Sequence, residues 1–284
     1  MFRKILPLGL ALTLLLSACG FRINLPITQQ TGPMMTDEIA LPMPSDPTEP
    51  IDLSLAFGAG KLTLNPGSSS LISGTATYNI SDFKPEVTVN GSTVRIEQGE
   101  WQLTGLPDVS NVKNEWDFAL GGATYDLTIE AGAYQAELEL GGLALTNLTI
   151  RDGAADSTVN FASPNRIEMN LLRYETGASN VSLTGLANAN FNSLEFDSGA
   201  GNYSLDFTGE LQRNASVDIE TGLSNLTLVI PAGIPAQVTI QGGLSNVTHG
   251  SGWSRNGSVY TQEGEGPALT IVIEIGAGNL TITR

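Results

Sequence analysis

The sequence predicts an all-β protein: a parallel β-solenoid (β-helix) of about 22-residue rungs preceded by a small antiparallel β unit. Three observations carry this. A strand–corner–strand motif recurs at nearly fixed spacing. Apolar residues alternate with polar ones at period 2, with no helical stretch of 10–15 residues between them, which argues against βαβ units. Charged residues make up only 15% of the chain and Gly numbers 32 among many Ser, Thr and Asn, a composition of strands and turns.

The chain opens on residues 1–18, which read as a lipoprotein signal peptide. Arg3 and Lys4 form a positive start, and 5–16 are an apolar run too short to span a bilayer. Leu16-Ser17-Ala18-Cys19 follows. Small residues precede the cleavage point of a secretory signal, and Cys19, the only cysteine in the chain, stands at the next position. This resembles the bacterial lipobox, which implies lipidation of Cys19. Two or more acyl chains hold a protein stably on a membrane where one does not.

Residues 19–50 read as a lipid-anchored, Pro-rich tether. Pro26, Pro33, Pro42, Pro44, Pro47 and Pro50 interrupt any sustained apolar period. As a flexible coil this stretch reaches about 30 Å, enough to hold the body clear of lipid head groups.

Residues 51–118 read as an N-terminal β unit. It holds one copy of the motif and then a hairpin that turns at Asn90-Gly91. Such a unit would cover the open edge of the first rung.

Residues 119–284 read as the solenoid. Its motif is anchored on Gly58, Gly132, Gly153, Gly177, Gly199, Gly222, Gly243 and Gly276. Three residues before each stands an apolar or aromatic residue, as in Ile129, Tyr174, Phe196 and Ile219. Five before stands Leu, Val or Ile. Ala or Leu follows each glycine, and Asn180, Asn202, Asn225, Asn246 and Asn279 lie three residues after five of them. From Gly132 to Gly243 the spacings are 21, 24, 22, 23 and 21 residues. The last is 33, which places an insertion near Trp253 in the final rung. Gly suits the corner because it tolerates φ > 0, and Asn suits it because it tolerates the left-handed region. Stacked on successive rungs, the Asn side chains form an amide ladder.

The motifs 53–64 (LSLAFGAGKLTL) and 271–282 (IVIEIGAGNLTI), with the Gly-Ala-Ser-Asn and Gly-Leu-Ser-Asn series between them, resemble the toast-rack family. That group includes adhesin-like domains of unknown function and the C-terminal domain of LiaF-type envelope stress regulators. The resemblance spans roughly 51–284. It implies a β-helical fold outside or beside a membrane and transfers no catalytic residue. LiaF-type proteins carry N-terminal transmembrane helices, and here a lipobox stands in their place.

Charge and chemistry narrow the function further. Removing residues 1–18 leaves 11 basic against 29 acidic residues, a net of −18. Such a body does not attract nucleic acid or anionic lipid heads. His249 is the only histidine and falls on an apolar position of the repeat, so neither a metal site nor a Ser nucleophile has its partners. No catalytic, cofactor or metal residue is assigned. Two and four residues before the corner, Arg173 and Glu175, Glu195 and Asp197, and Asp218 and Glu220 point outward. If the rungs stack in register, they form an acidic wall.

The sequence therefore reads as a lipid-anchored, extracytoplasmic protein of the cell membrane or outer membrane. Its expected role is a non-catalytic interaction, adhesive or envelope-stress module, with an envelope protein as partner and no nucleic acid. A polysaccharide-binding or polysaccharide-cleaving β-helix is the alternative. It requires a groove lined by acids, bases and aromatic rings.

Overall fold

The computed structural model describes residues 31–44, 49–99, 111–243 and 246–284. Residues 1–18 and Cys19 lie outside them.

Among the described residues sixteen strands form one sheet that winds into a stack. Full rungs are single bent strands of 15 to 17 residues: β2 (Ile51–Pro66), β7 (Thr124–Glu139), β8 (Ala144–Asn160), β9 (Met169–Thr184), β10 (Phe191–Asp206), β11 (Ala215–Val229) and β16 (Leu269–Thr283). Neighbouring rungs pair in parallel. The parallel solenoid expected from the repeat is the observed fold.

Burial shows how the strand turns its corner. In β11 the alternation runs inward at Val217, Ile219 and Thr221, outward at both Gly222 and Leu223, then inward at Ser224, Leu226 and Leu228. Two successive outward residues shift the phase by one, so both halves of the strand keep one face on the core. In-register stacking then makes columns. Leu55, Ile129, Ile150, Tyr174, Phe196, Ile219 and Ile273 run up one inner face. They are buried and belong to one continuous core.

The corner glycines are needed for a reason other than the one expected. Gly132, Gly153, Gly177, Gly199, Gly222 and Gly276 do not have positive φ. A Cβ on each would instead lie 2.4–2.8 Å from the carbonyl oxygen of the corner glycine on the neighbouring rung. Glycine lets the rungs approach at the bend, where any side chain would push them apart. The Asn ladder is present: Asn202 Nδ2 donates to Asn180 Oδ1 (2.9 Å), Asn225 to Asn202 (3.0 Å) and Asn279 to Asn225 (2.8 Å).

At the N-terminal end the stack is capped. The hairpin β4 (Pro85–Asn90) and β5 (Thr93–Gln98) turns at Gly91-Ser92, one residue past the expected Asn90-Gly91, with Asn90 paired to Thr93, and β5 pairs with the first half of β2. The second half of β2 pairs with β6 (Asn114–Leu120), which continues into antiparallel β3 (Ile72–Tyr78) and β1 (Met35–Leu41). Gln98 and Asn114 close the gap between the two cap strands. Asn114 Nδ2 donates to Gln98 Oε1 and to the Ala59 carbonyl, and the Gly58 N–H donates to Gln98 Oε1 at 3.0 Å.

Two boundaries move as a result. Residues 35–41, placed in the tether by their flanking prolines, form β1, because alternation at Met35, Asp37 and Ile39 gives the strand a face to lay on β3. The division between 118 and 119 falls inside β6, and β2 is itself the first rung.

The far end differs from sequence order. The copy built on Gly243 forms β12 (Ala236–Gly242) and β13 (Asn246–His249), and both pair with β16, not with β11. The chain passes out to the last position, makes the hairpin β14 (Ser254–Asn256) and β15 (Val259–Gln262) around buried Trp253, and returns to insert β16 inside it. His249 pairs with Ile282 on an inner column. There the stack ends, so the ring is exposed and meets Tyr260 edge-on at 5.4 Å.

Candidate functional site

A groove of 1320 Å³ crosses the rungs beside the corner column, from Glu97 of β5 to Glu274 of β16. Eight strands at about 4.8 Å spacing make it roughly 34 Å long. One outward position per strand lines it. In register these are Glu97, Ala56, Glu130, Arg151, Glu175, Asp197, Glu220 and Glu274.

The wall expected at Glu175, Asp197 and Glu220 is therefore formed, and it is longer than sequence order gives. Gln241 of the Gly243 copy would follow Glu220 in a sequential stack. Insertion of β16 puts Glu274 there instead, so four acids stand side by side. Among the described lining residues the positive charge is Arg151, fourth of the eight positions. Arg151 bridges Glu175 (3.1 Å) and Glu130 (3.4 Å), and Arg173 Nε donates to Glu195 at 2.7 Å. Among the described residues no ion pair reaches Asp197, Glu220 or Glu274. Burial raises the Asp197 carboxyl above its usual range. The charges of Glu175 and Glu195 add to this, and Arg173 opposes it.

Beneath the groove lies a buried polar cluster that the sequence reading passed over. Asp152 immediately precedes Gly153 and so points inward, as do Thr176 and Thr221 at the same position. Tyr174 Oη donates to Asp152 Oδ2 at 2.9 Å, Thr176 donates to Oδ1, and Ser179 Oγ lies 3.3 Å from Oδ1. Ser179 Oγ also accepts the Ala155 N–H at 2.7 Å. Burial raises the Asp152 carboxyl, and the hydroxyl donors offset part of that rise. Burial also drives the Tyr134 and Tyr174 phenols upward. The signal was legible: an acid occupies an inward slot that other copies fill with Thr, Ser or an apolar residue.

Chemically, the described residues offer a long acidic surface. Among the described lining residues the one base, Arg151, is committed to two ion pairs. Among the described lining residues the aromatic, Phe57, is buried and presents no open ring to a sugar. Among the described residues no three His, Cys, Asp or Glu converge on a common metal position. None of the described helices is long and apolar enough to cross a membrane.

These features define a capped, single-sheet parallel β-solenoid with an acidic groove along its corners. The profile of the N-terminal domain of toast_rack, DUF2154, matches residues 30–184 and again 164–229, and the chain belongs to this family. Among solved structures, a candidate cell adhesion protein from Clostridium sporogenes is 20% identical, with 88% of this chain and 99% of that one covered and a TM-score of 0.46. A candidate adhesin from Bacteroides fragilis is 9% identical (88% and 97% covered, TM-score 0.35). A candidate lipid binding protein from Parabacteroides distasonis is 11% identical (88% and 97%, TM-score 0.38). No curated protein matches.

Proposed function

We propose that this chain is a lipid-anchored module of the cell envelope that holds a partner protein against its acidic groove and performs no catalysis. The observation that carries the reading is the in-register run Glu175, Asp197, Glu220 and Glu274 on a groove about 34 Å long. A surface of this charge and shape complements an extended basic segment, whose positive residues would meet one carboxylate per rung. Complementary charge of this kind speeds encounter and selects partners. Cys19 supplies the anchor, and the stretch before β1 the stand-off.

The test uses the full chain and a labelled ten-residue lysine-rich peptide as probe, with binding read by fluorescence anisotropy. Affinity should fall steeply as salt rises, and at least tenfold in Asp197→Asn/Glu220→Gln. Equal binding of a glutamate-rich peptide, or equal affinity of the double variant, would overturn the reading.

A further inference from the structure

Four departures from the repeat meet at one place inside the solenoid, on β7, β8 and β9. Tyr134 stands between Gly60 and Ala155 in its column, and Asp152 between Ala131 and Thr176. Ser157 stands between Ala136 and Val181, and Tyr174 between Ile150 and Phe196. Apart from Thr176 these neighbours are small or apolar, so the stack itself asks for neither a charge nor a hydroxyl at the four slots. All four are buried: Tyr134 is 5% exposed, Asp152 9%, Ser157 2% and Tyr174 0%.

The four side chains face one another. Ser157 faces both phenols, and Tyr134 faces the Asp152 carboxylate as Tyr174 does. Their hydrogen bonds are unevenly shared. Asp152 Oδ1 is taken up by Thr176 and Ser179, and Oδ2 accepts from Tyr174. Tyr134 Oη and Ser157 Oγ have no hydrogen-bond partner among the described residues. A polar group buried without a partner destabilises the fold, and an uncompensated buried charge does so more.

The donor set says what would satisfy these groups. Each hydroxyl carries one proton and two lone pairs, and a carboxylate carries lone pairs alone. The cluster therefore has lone pairs to spare, one negative charge, and no Lys or Arg acting on Asp152 among the described residues. Hard cations take oxygen ligands of this kind. The single carboxylate then selects the charge. A monovalent ion leaves the buried site neutral, whereas a divalent ion leaves a net positive charge away from water. Asp152 also lines the acidic groove, whose carboxylates raise the local concentration of cations.

We propose that Tyr134, Asp152, Ser157 and Tyr174 form a buried site for one alkali-metal cation, sodium or potassium, which enters from the groove and ties β7, β8 and β9 together beside the corner. The ion offsets the cost that the bare carboxylate bears when buried, and it needs no protein in the groove.

The experiment melts the full chain at neutral pH and constant ionic strength, followed by circular dichroism, as tetramethylammonium chloride is replaced stepwise by sodium or potassium chloride. Constant ionic strength holds screening fixed, and tetramethylammonium is too bulky to enter, so in it the carboxylate stays bare. Sodium or potassium should raise the Tm along a saturating curve, as a ligand of the folded state does. Asp197→Asn, which alters the groove outside the site, should keep the rise, and Asp152→Asn should lose it. Tyr134→Phe/Ser157→Ala keeps the charge and most of the packing, and should need at least tenfold more ion for half the effect. If Asp152→Asn does not fold, this double variant decides. Equal Tm values in all three chlorides, a rise undiminished in Asp152→Asn or in the double variant, or a saturating rise given by calcium and by neither alkali ion would each overturn the proposal.

Discussion

Gly177 and Gly58 hold the same place in the repeat, yet replacing each by Ala should give different results. At Gly177 the new Cβ would stand 2.4 Å from the Gly153 carbonyl oxygen, about 1 Å short of ordinary contact, with backbone on the other side. At Gly58, where the next strand is the cap, it would meet only the Gln98 side chain, at 3.6 Å. Neither glycine has positive φ, so Ala suits both backbones. The gain from a stiffer unfolded chain, about 0.4–1 kcal/mol, is then common to both variants and cancels in the comparison. What remains is the cost of forcing two rungs apart, about 1–3 kcal/mol by analogy with overpacked cores. Gly177→Ala should therefore melt below Gly58→Ala by about 2–12 °C for a domain of this size, read by circular dichroism on the full chain. Gly58→Ala itself should match or slightly exceed the wild type. Equal melting of the two variants would show that the corner needs glycine for its flexibility and not for close approach.

Three further outcomes are expected. Ile219, 1% exposed between Phe196 and Ile273, should cost about 2–5 kcal/mol as Ile219→Ala in denaturant titration, and a surface-like loss within about 0.5 kcal/mol would mean the inner column is misread. Cys19→Ala should move the chain from the membrane to the soluble fraction or leave an uncleaved precursor, and unchanged partition and mass would remove the anchor from the account. Millimolar Ca²⁺ should raise the melting temperature of wild type and Asp197→Asn equally, through screening alone, because the acids stand in a row and do not converge. A rise confined to the wild type would reveal a bound ion.

The rungs were legible because each encodes the same local decision. Alternation sets the faces, and the Gly-Ala-Ser-Asn signal marks where the phase slips, so the columns through Ile219 and Leu228 could be placed from sequence alone. The hairpin, placed one residue early at Asn90-Gly91, and the ladder from Asn180 to Asn279 followed from turn and amide chemistry. What sequence order could not convey was which equivalent copy stacks on which. The Gly243 and Gly276 copies share the motif spacing, and they differ where Gly242 and His249 stand opposite Ile275 and Ile282. The preference comes from length: β16 is one unbroken strand, whereas β12 and β13 are two short ones. That choice also decides the site, because it brings Glu274 to Glu220. Strand β1 was hidden by the prolines around it, whose penalty on local structure is outweighed by pairing with β3.

Asp152 gives the sharpest pH test. It is 9% exposed and faces Tyr174, Thr176 and Ser179 on β9, with Tyr134 on β7 and no cation within the cluster. Burial penalises the carboxylate more than these hydroxyls stabilise it, so its folded pKa lies above the unfolded value of about 3.9. A carboxyl raised in this way binds its proton more tightly when folded. Its favourable contribution is complete below the unfolded pKa and is lost as pH rises through the folded one. At neutral pH the wild type therefore carries the cost of a buried charge, and Asp152→Asn does not. The hydroxyls can rotate to serve the amide, which keeps the cluster bonded. The stability of Asp152→Asn relative to wild type should then be greatest near pH 7 and shrink as pH falls toward 4, measured by urea titration at each pH. A relative stability that is flat across that range, or largest at pH 4, would mean that the hydroxyl donors outweigh burial and that Asp152 is held as a stable buried anion.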